Sequence, residues 1–294
     1  MPYKLTKIEK NEIVDKYLTG KYTCVELGKI YDVHGNSIST MLKKRGITIN
    51  NNQSELQRKY TLNEHYFDVI NTEKKAYLLG FLFADGCNDD NNNRISISLQ
   101  ARDKHILQEF NQELDSNKPL GFEENSKNTK FKNAQDTYIA KFTSRHMCDI
   151  LASYGCVPRK SLILKFPLKE HVPEHLITHF IRGYFDGDGS FVAHMMKCKE
   201  GRYLHQQYKF SFLSTLEFCG SIKKIIVDKF NIPVGIYERH KNSGKNSYEL
   251  NITGKKVFDV LDWLYKDSTI HLHRKYNKYI DEKTKLLDRQ AVVN

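Results

Sequence analysis

Two short segments hold the residues best placed to do chemistry: Leu78-Leu-Gly-Phe-Leu-Phe-Ala-Asp-Gly86 and Ile181-Arg-Gly-Tyr-Phe-Asp-Gly-Asp-Gly189. Each sets small residues four apart, Gly80 with Ala84 and Gly183 with Gly187, and ends in an Asp-Gly step, so that Asp85 and Asp188 lie 103 residues apart. Residues four apart share one face of a helix, and a face of small residues lets two backbones approach closely, as between membrane helices. Both aspartates then fall at helix C-termini, where the macrodipole already places about −0.5 charge. Parallel packing of the two helices would gather two carboxylates and several carbonyls at one spot, which calls for a cation. Oxygen donors with room for water and phosphate suit Mg²⁺, or Mn²⁺ in its place. Asp-Gly also simply closes helix-to-strand turns, but its symmetric recurrence favours a shared site.

These segments open the two copies of an internal repeat with a period near 100 residues, which begins at about Tyr60. In the first copy the apolar helix Ala76 to Ala84 precedes a strand at Arg94 to Leu99, a helix at Asp103 to Leu114, strands at Leu120 to Glu123 and Thr137 to Phe142, and a helix from Ser144 to Tyr154. The second copy runs through a helix at Ile177 to Gly187, strands at Ser190 to His194 and Tyr208 to Phe212, a helix at Leu216 to Phe230, strands at Gly235 to His240 and Tyr248 to Ile252, and a helix at Lys255 to Tyr265. The second copy shows the order α-β-β-α-β-β-α in full and the first repeats it with one strand unmarked before Arg94, so each copy is read as an αββαββα unit, giving repeats at 60–170 and 171–294, and Arg274 to Leu287 adds a basic helix. Within the strands, Arg94, Ser96 and Ser98, and Tyr237, Arg239, Lys241, Tyr248 and Asn251, are the residues expected on an outward face that could reach phosphates and base edges. A merely solvated sheet face produces the same alternation.

Ahead of the repeats, residues 1–47 show three short helical patterns, and a polar linker follows at 48–59. Ile8, Ile13, Val14, Tyr17 and Leu18 mark the first helix; Val25, Leu27, Ile30 and Tyr31 mark the second, with Thr23 as its N-cap; Ile38, Met41 and Leu42 mark the third. Ser37, Ser39, Thr40, Lys43, Lys44 and Arg45 remain on the outer face of the third helix. The pattern resembles a helix-turn-helix DNA-binding module, in which such a face enters the major groove. A plain three-helix cap is the alternative.

The 294 residues are 39% hydrophobic and carry a net charge of +11, which excludes wholesale disorder and favours an anionic partner, nucleic acid first. No apolar run reaches the ~20 residues of a membrane span, and MPYKLTKIEK has no secretory h-region. The expectation is a soluble intracellular protein, in the cytoplasm of a bacterium or phage-infected cell or in an organelle. The six cysteines form no CxxC pair and are read as reduced thiols, and His194 with Cys198 falls short of the four ligands of a structural zinc site.

The duplicated segment resembles the motif of the LAGLIDADG homing endonucleases in their monomeric two-motif form. Leu78, Gly80, Ala84, Asp85 and Gly86 match it in the first copy; Gly183, Asp186, Asp188 and Gly189 match in the second, with Ile181 conservative. The resemblance covers roughly residues 60–280. It implies an α+β fold, a pseudo-twofold tandem repeat of αββαββα units forming a DNA-binding saddle, here preceded by the small all-α helix-turn-helix domain. It further implies that Asp85 and Asp188 bind the catalytic metals, that Lys160 and Lys275 are the active-site lysines, and that Asp103 and Thr215 organise water, although helix N-capping explains those two equally well. The first copy has Phe83 where the second has Asp186, a departure expected to alter helix packing and leave the chemistry intact. The implied partner is double-stranded DNA with a long asymmetric target, cut on both strands by a monomer. A non-cleaving relative, an intron RNA maturase bound to its host intron RNA or a transcriptional regulator, is the alternative, and retention of both aspartates and both lysines favours the nuclease.

Overall fold

The protein is represented by a computed structural model that describes residues 5–49, 59–125, 127, 135–197, 203–239 and 245–293. It divides into two units, 1–61 and 62–294.

Among its described residues the smaller unit has three helices, α1 (Lys7–Leu18), α2 (Cys24–Ile30) and α3 (Gly35–Lys44). Thr6 with Glu9, and Thr23 with Glu26, form capping boxes that start α1 and α2 by satisfying backbone N–H groups that the helix leaves unpaired. Only four residues separate α2 from α3, and Gly28 permits that tight turn: a β-carbon there would lie 2.6 Å from the Val33 carbonyl oxygen. Ile13, Tyr17, Cys24, Leu27, Ile38 and Leu42 form the core. Ile8, Leu18, Val25 and Ile30, expected on the inner faces, are exposed. With helices this short, a narrow stripe is all the core can cover. The proposed linker lies largely outside the described residues.

The larger unit carries the repeat. Its first half is α4 (Glu73–Asp85), β1 (Gly86–Asp89), β2 (Arg94–Gln100), α5 (Lys104–Glu113), β3 (Gly121–Glu123), β4 (Thr137–Thr143) and α6 (Arg145–Ser153). Its second half is α7 (Ile177–Asp188), β5 (Ser190–Lys197), β6 (Tyr203–Ser214), α8 (Leu216–Phe230), β7 (Gly235–Glu238), β8 (Tyr248–Thr253) and α9 (Val257–Tyr265), followed by α10 (His273–Val293). Each half forms a four-stranded antiparallel sheet, ordered β1-β2-β4-β3 and β5-β6-β8-β7. Both halves share one apolar core that runs from Tyr66 to Tyr279 through α4 and α7. The two motif helices thus form the spine of this unit, and each hands its chain directly to the first strand of a sheet.

Candidate active site

The spine has no room for side chains where its helices cross. A β-carbon at Gly80 would strike the carbonyl oxygen of Phe180, and one at Gly183 would strike that of Tyr77. One turn on, a β-carbon at Gly187 would strike the Ala84 methyl and lie 3.1 Å from Asp85 Oδ2. The small-residue faces of α4 and α7 therefore meet backbone to backbone, in parallel, with Asp85 and Asp188 at adjoining C-termini.

Both aspartates reach solvent on one side and are packed against protein on the other. Lost hydration raises the Asp85 pKa to about 6, with the charge of Asp188 pushing the same way against Lys275, Lys160 and Arg274. Asp188 is also raised by lost hydration, against the pull of Lys160 and Lys275. A cleft of about 260 Å³ opens beside Asp188 and Lys160, bounded by Ala84, Tyr184 and Ser214.

The two lysines occupy matching places. Buried Lys160 donates from Nζ to the carbonyls of Ala84, at 3.1 Å, and Gly86 at the end of α4. Buried Lys275 donates to the carbonyls of Phe185, Gly187 and Gly189 at the end of α7, at 2.6, 3.2 and 2.5 Å. Each ammonium thus satisfies terminal carbonyls and offsets the negative end of its helix dipole. Burial lowers the Lys275 pKa to about 8, even though Asp186 pulls it upward.

Asp103 and Thr215 precede the corresponding helices α5 and α8 but do different things. Thr215 is a true cap: its Oγ1 accepts from Phe218 N and donates to the Leu164 carbonyl at 2.6 Å. Asp103 caps nothing and instead forms an ion pair with Arg274, 2.9 Å from Nε to Oδ2. It thereby links the first half to the chain beside Lys275.

A buried polar network behind α7 carries no obvious sequence signal beyond an arginine and an aspartate within an apolar helix. Arg182 is fully buried and donates to the Ile270 and Leu264 carbonyls and to Glu73, at 2.6 Å for the last. Glu73 also accepts from the backbone N–H and hydroxyl of Thr269. Asp186, equally buried, accepts from Tyr77 at 2.9 Å, Tyr265 at 2.7 Å and Leu272 N at 2.8 Å. The segment that delivers Lys275 is held by this network.

On the first sheet Arg94, Ser96 and Ser98 alternate with buried Ile95, Ile97 and Leu99, and Arg94 pairs with Asp89 at 2.8 Å. On the second, exposed Tyr237 lies opposite Glu249, and Asn251 lies opposite Ser211. Arg239 sits just past β7 and pairs with Glu249, which Lys209 also binds. Tyr248, expected outward, shares the inward parity of Leu250 and Ile252 and packs on the core. Lys241 lies outside the described residues, as does Cys198. In the smaller unit Ser37, Thr40, Lys43, Lys44 and Arg45 are exposed and Ser39 is half-buried; Arg45 also binds Asn11 Oδ1 at 2.8 Å.

Among known proteins, the LAGLIDADG-like domain family matches residues 176–262. An uncharacterized protein of Methanocaldococcus jannaschii is 24% identical over 214 residues, 72% of this chain and 73% of that protein. A probable translation initiation factor IF-2 of the same archaeon is 30% identical over 207 residues, and the match spans 66% of this chain but 15% of that protein. The structure of the I-LtrWI LAGLIDADG homing endonuclease bound to target DNA aligns with a TM-score of 0.49 at 12% identity, covering 78% of this chain and 92% of that one. The I-SmaMI LAGLIDADG homing endonuclease bound to cleaved DNA aligns with a TM-score of 0.48 at 13% identity, covering 76% and 91%. No helix among the described residues is long and apolar enough to cross a membrane. The stretch 176–262, from the turn before α7 into α9, is a LAGLIDADG-like domain, and the half before it repeats its order of elements.

Proposed function

We propose that the protein is a metal-dependent homing endonuclease that hydrolyses one phosphodiester on each strand of a long, asymmetric DNA site. The observation that carries this reading is the pair of carboxylates at adjoining C-termini of two helices in backbone contact, each helix end backed by a buried lysine. The donor set fits a hard divalent cation: two carboxylates close enough that the charge of one raises the pKa of the other. Asp85 and Asp188 would hold Mg²⁺ or Mn²⁺, which when bound supplies Lewis acidity to water and the scissile phosphate.

The lysines then differ in what they can offer. An ammonium has three N–H groups. Lys275 spends all three on carbonyls, so it acts as a fixed positive charge beside the Asp188 end. Lys160 spends two, which leaves one to reach a phosphate oxygen or orient water at its side of the cleft. Asp103 keeps Arg274 in place, and Thr215 ties α8 to the chain after Lys160; both support the site from behind. The outward residues Arg94, Ser96, Ser98, Tyr237, Arg239 and Asn251, with Lys241, would track the DNA backbone and bases. The three-helix unit would serve as a helix-turn-helix module, with Ser37, Ser39, Thr40, Lys43, Lys44 and Arg45 contacting DNA and raising affinity through effective concentration. With both motifs in one chain the protein works as a monomer.

The test is cleavage of a randomised-site plasmid library in Mg²⁺, with and without EDTA, by wild type and by Asp85→Asn/Asp188→Asn. Metal-dependent breaks at one long site, absent in the double variant, support the proposal. Equal cleavage by that variant, or tight binding of structured intron RNA with no DNA cleavage, overturns it, the latter in favour of a maturase.

A further inference from the structure

We propose a second metal site, for a transition-metal ion rather than Mg²⁺, at His65, Asp68 and His146. His65 and Asp68 lie in the segment before α4, and His146 lies in the first turn of α6. The Asp68 carboxylate stands between the two imidazoles: Oδ2 is 2.8 Å from His65 Nδ1 and Oδ1 is 2.6 Å from His146 Nε2. The ring centroids are 4.4 Å apart, and one donor atom from each of the three residues lies within 4.8 Å of the others. Among the described residues no other three such side chains converge.

Chemistry selects the ion. Two imidazole nitrogens and one carboxylate oxygen suit Zn²⁺, Co²⁺ or Ni²⁺, whereas Mg²⁺ and Ca²⁺ favour oxygen alone. Three protein ligands leave a position open for water, the pattern of accessible zinc sites. A tetrahedral zinc with ligands at ~2.0–2.1 Å sets its donors about 3.4 Å apart. The donor atoms, already within 4.8 Å, need only small side-chain movements.

The scaffold does not depend on the cluster. Tyr154 donates to the carbonyls of Phe67 and Asp68 at 2.9 and 3.0 Å, and Ser144 donates to Glu64 at 2.6 Å. These bonds fasten the segment to α6 independently of the three side chains, so the ligands are held ready for an ion and variants at them are expected to fold. Partial exposure of all three gives the ion a way in.

The experiment is calorimetric titration of the EDTA-stripped full chain with Zn²⁺, paired with Co²⁺ absorbance to report tetrahedral coordination. Wild type is compared with His146→Gln, Asp68→Asn and His65→Gln, and with Asp85→Asn/Asp188→Asn. One equivalent of Zn²⁺ is expected in wild type and in the double aspartate variant, weakened about tenfold or more in each cluster variant, with a zinc-induced rise in Tm that those variants lose. No stoichiometric uptake by wild type, or uptake unchanged in the cluster variants, overturns the proposal. Circular dichroism of the metal-free proteins checks folding, and His65→Gln, at the most exposed of the three, decides if another variant fails to fold.

Discussion

Where α4 presents Leu79 and then Phe83, α7 presents Arg182 and then Asp186 at the matching positions. Behind α4 the support is apolar: Phe83 meets Phe180 edge-on at 5.1 Å and lies against Gly155, at the start of the chain that leads to Lys160. Behind α7 it is ionic and hydrogen-bonded, fixing Leu264, Thr269, Ile270 and Leu272 on the way to Lys275. Apolar packing tolerates volume-conserving exchange, whereas a buried ionic network fixes particular partners and is costly to break on one side. Around Lys160 that packing is joined by neutral hydrogen bonds, from Asn88 to the Cys156 carbonyl and from Thr215 to that of Leu164, whereas around Lys275 the bonds that fix the chain involve buried charges.

This difference should vanish at the helix contact and reappear behind it. Gly80→Ala and Gly183→Ala should be the most damaging changes, each costing ~3 kcal/mol or more because the obstacle is backbone on both sides; denaturant unfolding should rank them equal, and a large disparity would break the symmetry. The control is Gly220→Ala in α8, where a β-carbon meets nothing within 4 Å, and a gain of about 0.5–1 kcal/mol is expected. Asp186→Asn should cost about 1–3 kcal/mol by replacing one of the two oxygens that accept from Tyr77, Tyr265 and Leu272 N with a donor, against less than about 1.5 for Phe83→Leu. It should also lower the Lys275 pKa further below about 8, since Asp186 leads the three carboxylates, with Asp85 and Asp188, that pull it up; NMR titration of the lysine Nζ would show this, and an unmoved pKa would separate the network from the site.

A smaller effect follows from Asp85. Its pKa of about 6, above the ordinary 3.8, means that the folded state holds this proton more tightly. The resulting contribution to stability is complete below about pH 4 and lost as pH rises through about 6. In EDTA, Asp85→Asn should therefore raise Tm at pH 7.5 relative to wild type and narrow that gap at pH 4. A lower Tm at pH 7.5 would mean that the two carboxylates do not strain the fold.

Local signals in the sequence carried far. Period-3.6 faces bounded by Thr23, Ser144, Thr215 and Gly155 mark helices to within a few residues, and the repeated small-residue faces predict the spine that Gly80 and Gly183 form. Strand β1 escaped notice because Gly-Cys-Asn-Asp has no apolar alternation; its pairing with β2 makes it a strand. The partners of the buried charges were equally hidden, since Glu73 and Thr269 are 196 positions apart and nothing local joins them. The lysines could be named by resemblance, but their attachment to helix-end carbonyls depends on how the chain returns after α6 and α9. His65 and Asp68 likewise belong to one segment and His146 to another, and only tertiary folding unites them.

The glycine contacts have one more consequence. Where a β-carbon would strike a carbonyl, glycine instead aims a Cα hydrogen at it, and Gly80 toward Phe180 and Gly183 toward Tyr77 make a reciprocal pair of such C–H···O contacts, each worth about 0.5–1 kcal/mol. Unlike oily packing, they have a direction and a register. Sliding either helix by one residue would point a side chain at the opposing carbonyl, so the distance between the two acidic helix ends is set by main-chain geometry alone.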